Sequence, residues 1–76
     1  MTRADLLDIF VKALLRQIGG DRRRWRAVIG EIRVYSVETH AHCNWSVVPS
    51  GNTREVAEVE RLLDTIRLEH PVVSPG

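Results

Sequence analysis

The sequence predicts a small α+β domain: an N-terminal helix, a short second helix, a two-stranded antiparallel hairpin and a long C-terminal helix. Apolar residues recur at helical spacing near both ends of the chain, and the segment between them is rich in β-branched and aromatic residues. Because 76 residues can enclose only one hydrophobic core, we treat residues 1–76 as a single domain. Residues 71–76 are expected to form a loose C-terminal tail.

The first helix is predicted over residues 4–18, where apolar side chains follow steps of three and four residues. Its apolar stripe consists of Leu7, Phe10, Val11, Leu14, Leu15 and Ile18. Thr2 is expected to cap this helix, with Asp5 as the acid of a capping box. Two glycines, Gly19 and Gly20, are expected to end it.

Residues 21–30 are open to two interpretations. In the first, Asp21 caps a short helix that places Trp25, Val28 and Ile29 on one face. In the second, residues 26–38 form one long strand. The short helix is favoured, because the evident hairpin partner is much shorter and would leave a long unpaired strand edge.

The hairpin is predicted from two β-rich segments, residues 32–37 and residues 45–48, joined by residues 39–44. Pro49, Ser50 and Gly51 then break the sheet.

The last helix is predicted to begin at Asn52 or Thr53 and to stop before Pro71. Its apolar stripe contains Val56, Val59, Leu62, Leu63 and Ile66.

One face of the hairpin is the favoured candidate for an interaction site. Alternation directs Tyr35 and Val37 away from the face that carries Ile32 and Val34, and so small a domain has few elements left to cover the second face. We assign Tyr35, Val37 and Trp45 to this interaction face, while Trp45 and Trp25 are also expected to anchor the structure. The expected function is a non-enzymatic interaction module that contacts another protein or a second copy of the chain.

A basic run offers an alternative function, nucleic-acid binding. Arg22, Arg23, Arg24 and Arg26 surround Trp25, and guanidinium groups pair with phosphates while tryptophan can stack on a base. Residues 1–38 hold eight Lys/Arg against five Asp/Glu, a net +3, whereas residues 39–76 hold three against five, a net −2. The whole-chain charge of +1 argues against a dedicated nucleic-acid binder, which is usually strongly basic.

The segment that contains His40, His42 and Cys43 offers a further alternative, a metal site. Imidazole and thiolate are ligands of zinc and copper, and His70 could supply a distant fourth ligand. We predict no tight metal site and no cofactor, because Cys43 points opposite to His42 in an extended segment and no nearby fourth ligand completes the set.

The remaining patterns favour neither an enzyme nor a membrane protein. No carboxylate pair lies in an apolar setting that would separate two pKa values, and nothing marks an oxyanion hole for a nucleophilic pair of Cys43 with a histidine, so no catalytic residues are predicted. The N-terminal apolar stretch is broken by charges, unlike a signal peptide, and no segment has the length of a bilayer span. The single cysteine suits a reducing compartment, and we expect a cytoplasmic protein.

Overall fold

The computed structural model describes residues 1–74 and has the element order α1, α2, β1, β2, α3. These elements span Arg3–Gln17, Arg22–Ile29, Arg33–Val34, Trp45–Ser46 and Thr53–Glu69. The predicted α+β class is confirmed, and the segment after Asp21 is a helix rather than an extension of the strand.

Both long helices begin with capping boxes, and the one in α1 is the box expected from Thr2 and Asp5. In α1, the Thr2 hydroxyl accepts from the Asp5 N–H at 3.2 Å, and the Asp5 carboxylate accepts from the Thr2 N–H at 3.0 Å. In α3, Asn52 Oδ1 accepts from the Glu55 N–H at 2.8 Å, and Glu55 Oε1 accepts from the Asn52 N–H at 3.0 Å. Each box pairs two backbone donors that the helix itself leaves without partners.

The buried face of α1 differs slightly from the predicted stripe. Leu6 is fully buried although the stripe was counted from Leu7, because Leu6 lies one helical turn before Phe10 and shares its row. Leu7 and Leu15 are only half-buried, and Ile18 lies at the surface where the helix ends. In α3 the buried residues are Val59, Leu62, Leu63 and Ile66.

The sheet is shorter than predicted. β1 and β2 are antiparallel in the register Arg33 with Ser46 and Val34 with Trp45. The first strand ends early because the Ser36 carbonyl accepts from the N–H groups of Thr39 and His40, which turns the chain. A two-stranded sheet of this size depends on packing against the helices, and its inner face meets the core through Ile32, Val34 and Trp45.

Both tryptophans lie in the hydrophobic core, which draws on all three helices and the hairpin. The Trp45 ring packs edge-on against Phe10, with ring centroids 5.7 Å apart and an interplanar angle of 88°. The indole N–H of Trp45 donates to the His70 carbonyl at 2.8 Å, and that of Trp25 donates to the Gly19 carbonyl at 2.8 Å. The two rings thus bury their apolar area while their polar atoms remain paired.

The C-terminal segment is held to the hairpin, contrary to the expectation of a loose tail from residue 71. The buried side chain of Asn44 accepts from the Val73 N–H and donates to the Val73 carbonyl, both at 2.8 Å. The backbone N–H of Asn44 donates to the Pro71 carbonyl at 3.1 Å, and Val73 is only 3% exposed. The expectation was based on Pro71 as the end of the helix, and α3 does end before Pro71. The chain beyond the helix, however, forms hydrogen bonds with Asn44. Residues 75 and 76 lie outside the described part of the chain.

Candidate functional site

The hairpin turn is ordered by a set of hydrogen bonds centred on Ser36. Its carbonyl accepts from the backbone N–H groups of Thr39, at 3.2 Å, and His40, at 2.9 Å. The same carbonyl accepts from the Thr39 hydroxyl at 3.1 Å, and the Ser36 hydroxyl accepts from the Glu38 N–H at 3.2 Å. These contacts fix the backbone of residues 36–40, so that the side chains of the turn are presented in defined positions.

The solvent-facing side of the hairpin carries a polar cluster around Tyr35. The Tyr35 hydroxyl lies 3.0 Å from the Ser46 hydroxyl, and the Tyr35 ring stacks on His40 with centroids 4.5 Å apart at 20°. Arg33 is the cross-strand partner of Ser46 and is exposed. We call Arg33, Tyr35, Val37, His40 and Ser46 the hairpin patch.

The His40 ring is also held through its Nδ1, which lies 2.9 Å from the Thr39 hydroxyl oxygen. That hydroxyl lies 3.1 Å from the Ser36 carbonyl as well, so the imidazole joins the hydrogen-bond network of the turn.

The structure separates the three residues predicted for the interaction face. Tyr35 and Val37 are 38% and 48% exposed and lie on the solvent side of the hairpin. Trp45 is 2% exposed and faces the core, because it is paired with Val34 on the inner side of the sheet. Trp45 therefore packs in the core and is not part of the exposed surface of the hairpin.

A groove runs beside the hairpin patch, between the end of β2 and α3. It has a volume of about 440 Å³ and is lined by Val47, Val48, Pro49, Glu60, Leu63, Asp64 and Arg67. Val48 is 73% exposed, and the Arg67 guanidinium carbon lies 5.9 Å from the centre of the Trp45 ring. Val48 thus adds exposed apolar surface at the edge of this groove.

The basic run lies on α2, and two of its four arginines are engaged with acids of the same fold. Arg24 Nε and Nη2 donate to the two carboxylate oxygens of Glu55 at 2.8 and 2.7 Å. The guanidinium of Arg22 lies 3.5 Å from Asp8. Arg23 and Arg26 are exposed and form no ion pair with residues 1–74.

The Arg24–Glu55 contact joins α2 to the start of α3. The hydrogen bonds from Arg24, followed by the backbone hydrogen bond at Asn52, lower the pKa of Glu55 from its usual 4.5 to about 2. The same carboxylate completes the capping box of α3. Arg24 therefore has a structural partner, which reduces its availability for phosphate.

The candidate metal ligands do not converge. The His40 ring stacks on Tyr35, and its Nδ1 contacts the Thr39 hydroxyl. The Cys43 thiol is half-buried and lies 3.5 Å from the Trp45 carbonyl. Within residues 1–74 no three His, Cys, Asp or Glu side chains are placed to share a metal ion. That His40, His42 and Cys43 form no tight metal site stays a prediction.

Three members of the hairpin patch were missed by sequence reasoning. Arg33 and Ser46 face solvent beside Tyr35, and alternation along each strand could have placed them there once the register was known. For His40 the sequence suggests a metal ligand, and no local signal shows that its ring stacks on Tyr35.

The hairpin patch presents aromatic, cationic and hydroxyl groups on the two strands and the ordered turn. Among residues 1–74, no helix has the length and apolar character needed to cross a membrane. No protein-family model, curated protein or solved structure matches the chain.

Proposed function

We propose that the protein is a non-enzymatic binding module that contacts another protein chain through the hairpin patch. The observation that carries this proposal is the exposure of Tyr35 and Val37, at 38% and 48%, on a hairpin whose opposite face is covered by the helices. Large side chains held at the surface of so small a domain are available to a partner.

The fixed geometry of the turn supports the same proposal. Association costs free energy when loops and side chains become ordered, and this cost is smaller for a surface that is already ordered. The Ser36 hydrogen bonds and the contacts of Tyr35 with His40 and Ser46 provide that order before any partner arrives. Tyrosine and arginine, both present in the patch, are the types enriched among energetically dominant interface residues.

The partner is proposed to be a second copy of the chain or a different protein of the cytoplasm. Sedimentation of the purified protein at low and high concentration distinguishes the two. Concentration-dependent dimers are expected if the partner is a second copy, and Tyr35→Glu or Val37→Glu should abolish them by placing an unpaired charge in the interface.

The matched control is Glu58→Lys, which changes a side chain of α3 that is paired with Arg61. This variant should associate as the wild type does. A chain that stays monomeric at millimolar concentration contradicts self-association and leaves a different protein as the partner. Association that persists in both hairpin variants contradicts the proposal for this patch.

Nucleic-acid binding through α2 is the second candidate, and the observation in its favour is that Arg23 and Arg26 remain unpaired within residues 1–74. The engagement of Arg22 and Arg24 by acids reduces the number of phosphate contacts available. Titration with single-stranded and duplex oligonucleotides at several salt concentrations tests it. Binding that weakens steeply with salt and is lost in Arg23→Gln would favour this candidate.

A further inference from the structure

We infer that the hairpin patch recognises a carboxylate group of its protein partner, held by the Arg33 guanidinium and by the paired hydroxyls of Tyr35 and Ser46. This inference rests on the proposed function and specifies the chemistry of the partner. Three observations support it: the absence of an ion pair at Arg33, a hydroxyl proton of the Tyr35–Ser46 pair that is available to a further acceptor, and the charges of the neighbouring side chains.

Arg33 is exposed and forms no ion pair with residues 1–74. Because Arg33 and Ser46 are cross-strand partners, their side chains leave the same face of the sheet from backbones about 5.5 Å apart. The Arg33 side chain is therefore long enough for its guanidinium to reach a group that contacts the Ser46 hydroxyl.

The Tyr35 and Ser46 hydroxyls lie 3.0 Å apart, so one of them donates to the other. The accepting hydroxyl keeps its own proton for a further acceptor, whichever of the two it is. Together with the N–H groups of Arg33, this proton provides donors for both oxygens of one carboxylate. The stacking of His40 on the Tyr35 ring restricts where the phenol oxygen can lie.

The neighbouring charges favour a single carboxylate over a nucleic-acid backbone. Glu31 precedes Arg33 by two residues and is expected on the same face, and Glu38 lies in the turn that borders the patch. A phosphate chain would bring several negative charges towards these acids, whereas one acidic side chain meets the guanidinium alone. The patch therefore fits a single acidic side chain of a partner protein.

The direct test is an NMR titration with N-acetyl-aspartate methylamide, which carries one carboxylate, at constant ionic strength. The neutral N-acetyl-asparagine methylamide is the matched control probe. We expect saturable shifts at the amides of Arg33, Tyr35 and Ser46, with a dissociation constant of tens of millimolar, roughly what one charge-assisted contact supplies. The neutral probe should cause no saturable shift.

Variants then assign the contact. Arg33→Gln should weaken binding of the acidic probe by about fivefold or more, and Tyr35→Phe or Ser46→Ala by about two- to fivefold. Glu31→Gln should strengthen binding about twofold, because it removes a like charge from the same face. The control Arg23→Gln, an exposed and unpaired arginine on α2, should leave the affinity unchanged. Unchanged thermal unfolding of each variant shows that the fold is intact.

Equal binding of the neutral probe, or equal loss in Arg23→Gln and Arg33→Gln, overturns the inference. It is also overturned if an oligothymidylate binds through Arg33 more tightly than the acidic probe, since the patch would then serve nucleic acid. These failures differ from failure of the proposed function, which is judged by whether Tyr35→Glu or Val37→Glu abolishes association. Association can depend on those residues even when no carboxylate is recognised.

Discussion

The arginine-rich helix α2 and the hairpin both carry side chains that were considered for binding. The two regions differ in how many of these side chains have partners within the fold. On α2, Arg24 is held by Glu55 and Arg22 lies near Asp8. On the hairpin, Arg33 is unpaired within residues 1–74, and the Tyr35 hydroxyl contacts only the neighbouring Ser46 among described side chains. A cluster of charged and aromatic residues in a sequence therefore predicts a binding surface only after the partners of those side chains within the fold have been identified.

The largest effect is expected where the hairpin meets the core. Trp45→Ala should lower the free energy of unfolding by about 3–5 kcal/mol, because a fully buried ring is lost and a cavity remains. Tyr35→Ala, on the opposite face of the same hairpin, should cost about 1 kcal/mol or less. Denaturant unfolding measures both, and equal costs would contradict the division of the hairpin into a core face and a free face.

A smaller loss is expected for Asn44→Ala. The substitution leaves the buried N–H of Val73 without its partner, at a cost of about 2–3 kcal/mol. Hydrogen exchange at the Val73 amide should accelerate more than exchange in α1, because the C-terminal segment is released first. Ser46→Ala is the control, and comparable effects of the two changes would show that Asn44 does not hold the segment.

The stabilising contact of Arg24 with Glu55 should be lost in acid. Since the pKa of Glu55 is lowered to about 2 in the fold, its contribution to stability is complete above its usual pKa of 4.5 and is lost as the pH falls towards 2. Glu55→Gln should remove this part of the acid dependence, and Arg24→Gln should weaken it. Thermal unfolding between about pH 6 and pH 2 measures it. A Glu55→Gln variant with the wild-type pH profile would contradict the assignment.

The smallest effects are expected for the arginines that lack partners. Arg23→Gln and Arg26→Gln should each change the free energy of unfolding by about 0.5 kcal/mol or less, as surface substitutions usually do. Arg24→Gln should lower the unfolding temperature more than either. If all three changes are equivalent, the Arg24–Glu55 contact does not stabilise the junction of α2 with α3.

Local signals were sufficient for the helices but not for the site. Capping boxes and apolar stripes act within four residues, so α1 and α3 could be predicted closely. The contact of Asn44 with Val73 spans 29 residues and has no sequence signature, which is why the C-terminal segment was expected to be loose.

The hairpin patch was predictable in part. Alternation correctly brought Tyr35 and Val37 to the outer face, but the side to which Trp45 points depends on the register between strands. That register is set by the turn at Ser36, whose hydrogen bonds shorten the first strand. Arg33, His40 and Ser46 could join the patch only once the register and turn were known.

The pairing of residue 74 with residues 1 and 2 makes the chain suitable for circular permutation. The N–H of Ser74 donates to the Met1 carbonyl at 2.7 Å, and Thr2 and Ser74 form a parallel bridge. The backbone of residues 1–74 thus begins and ends at neighbouring positions, and a short peptide that joins residue 74 to residue 1 would close a ring with little added loop entropy. New ends could then be opened at Gly19 and Gly20, between α1 and α2. Such a permuted chain would keep the hairpin turn intact.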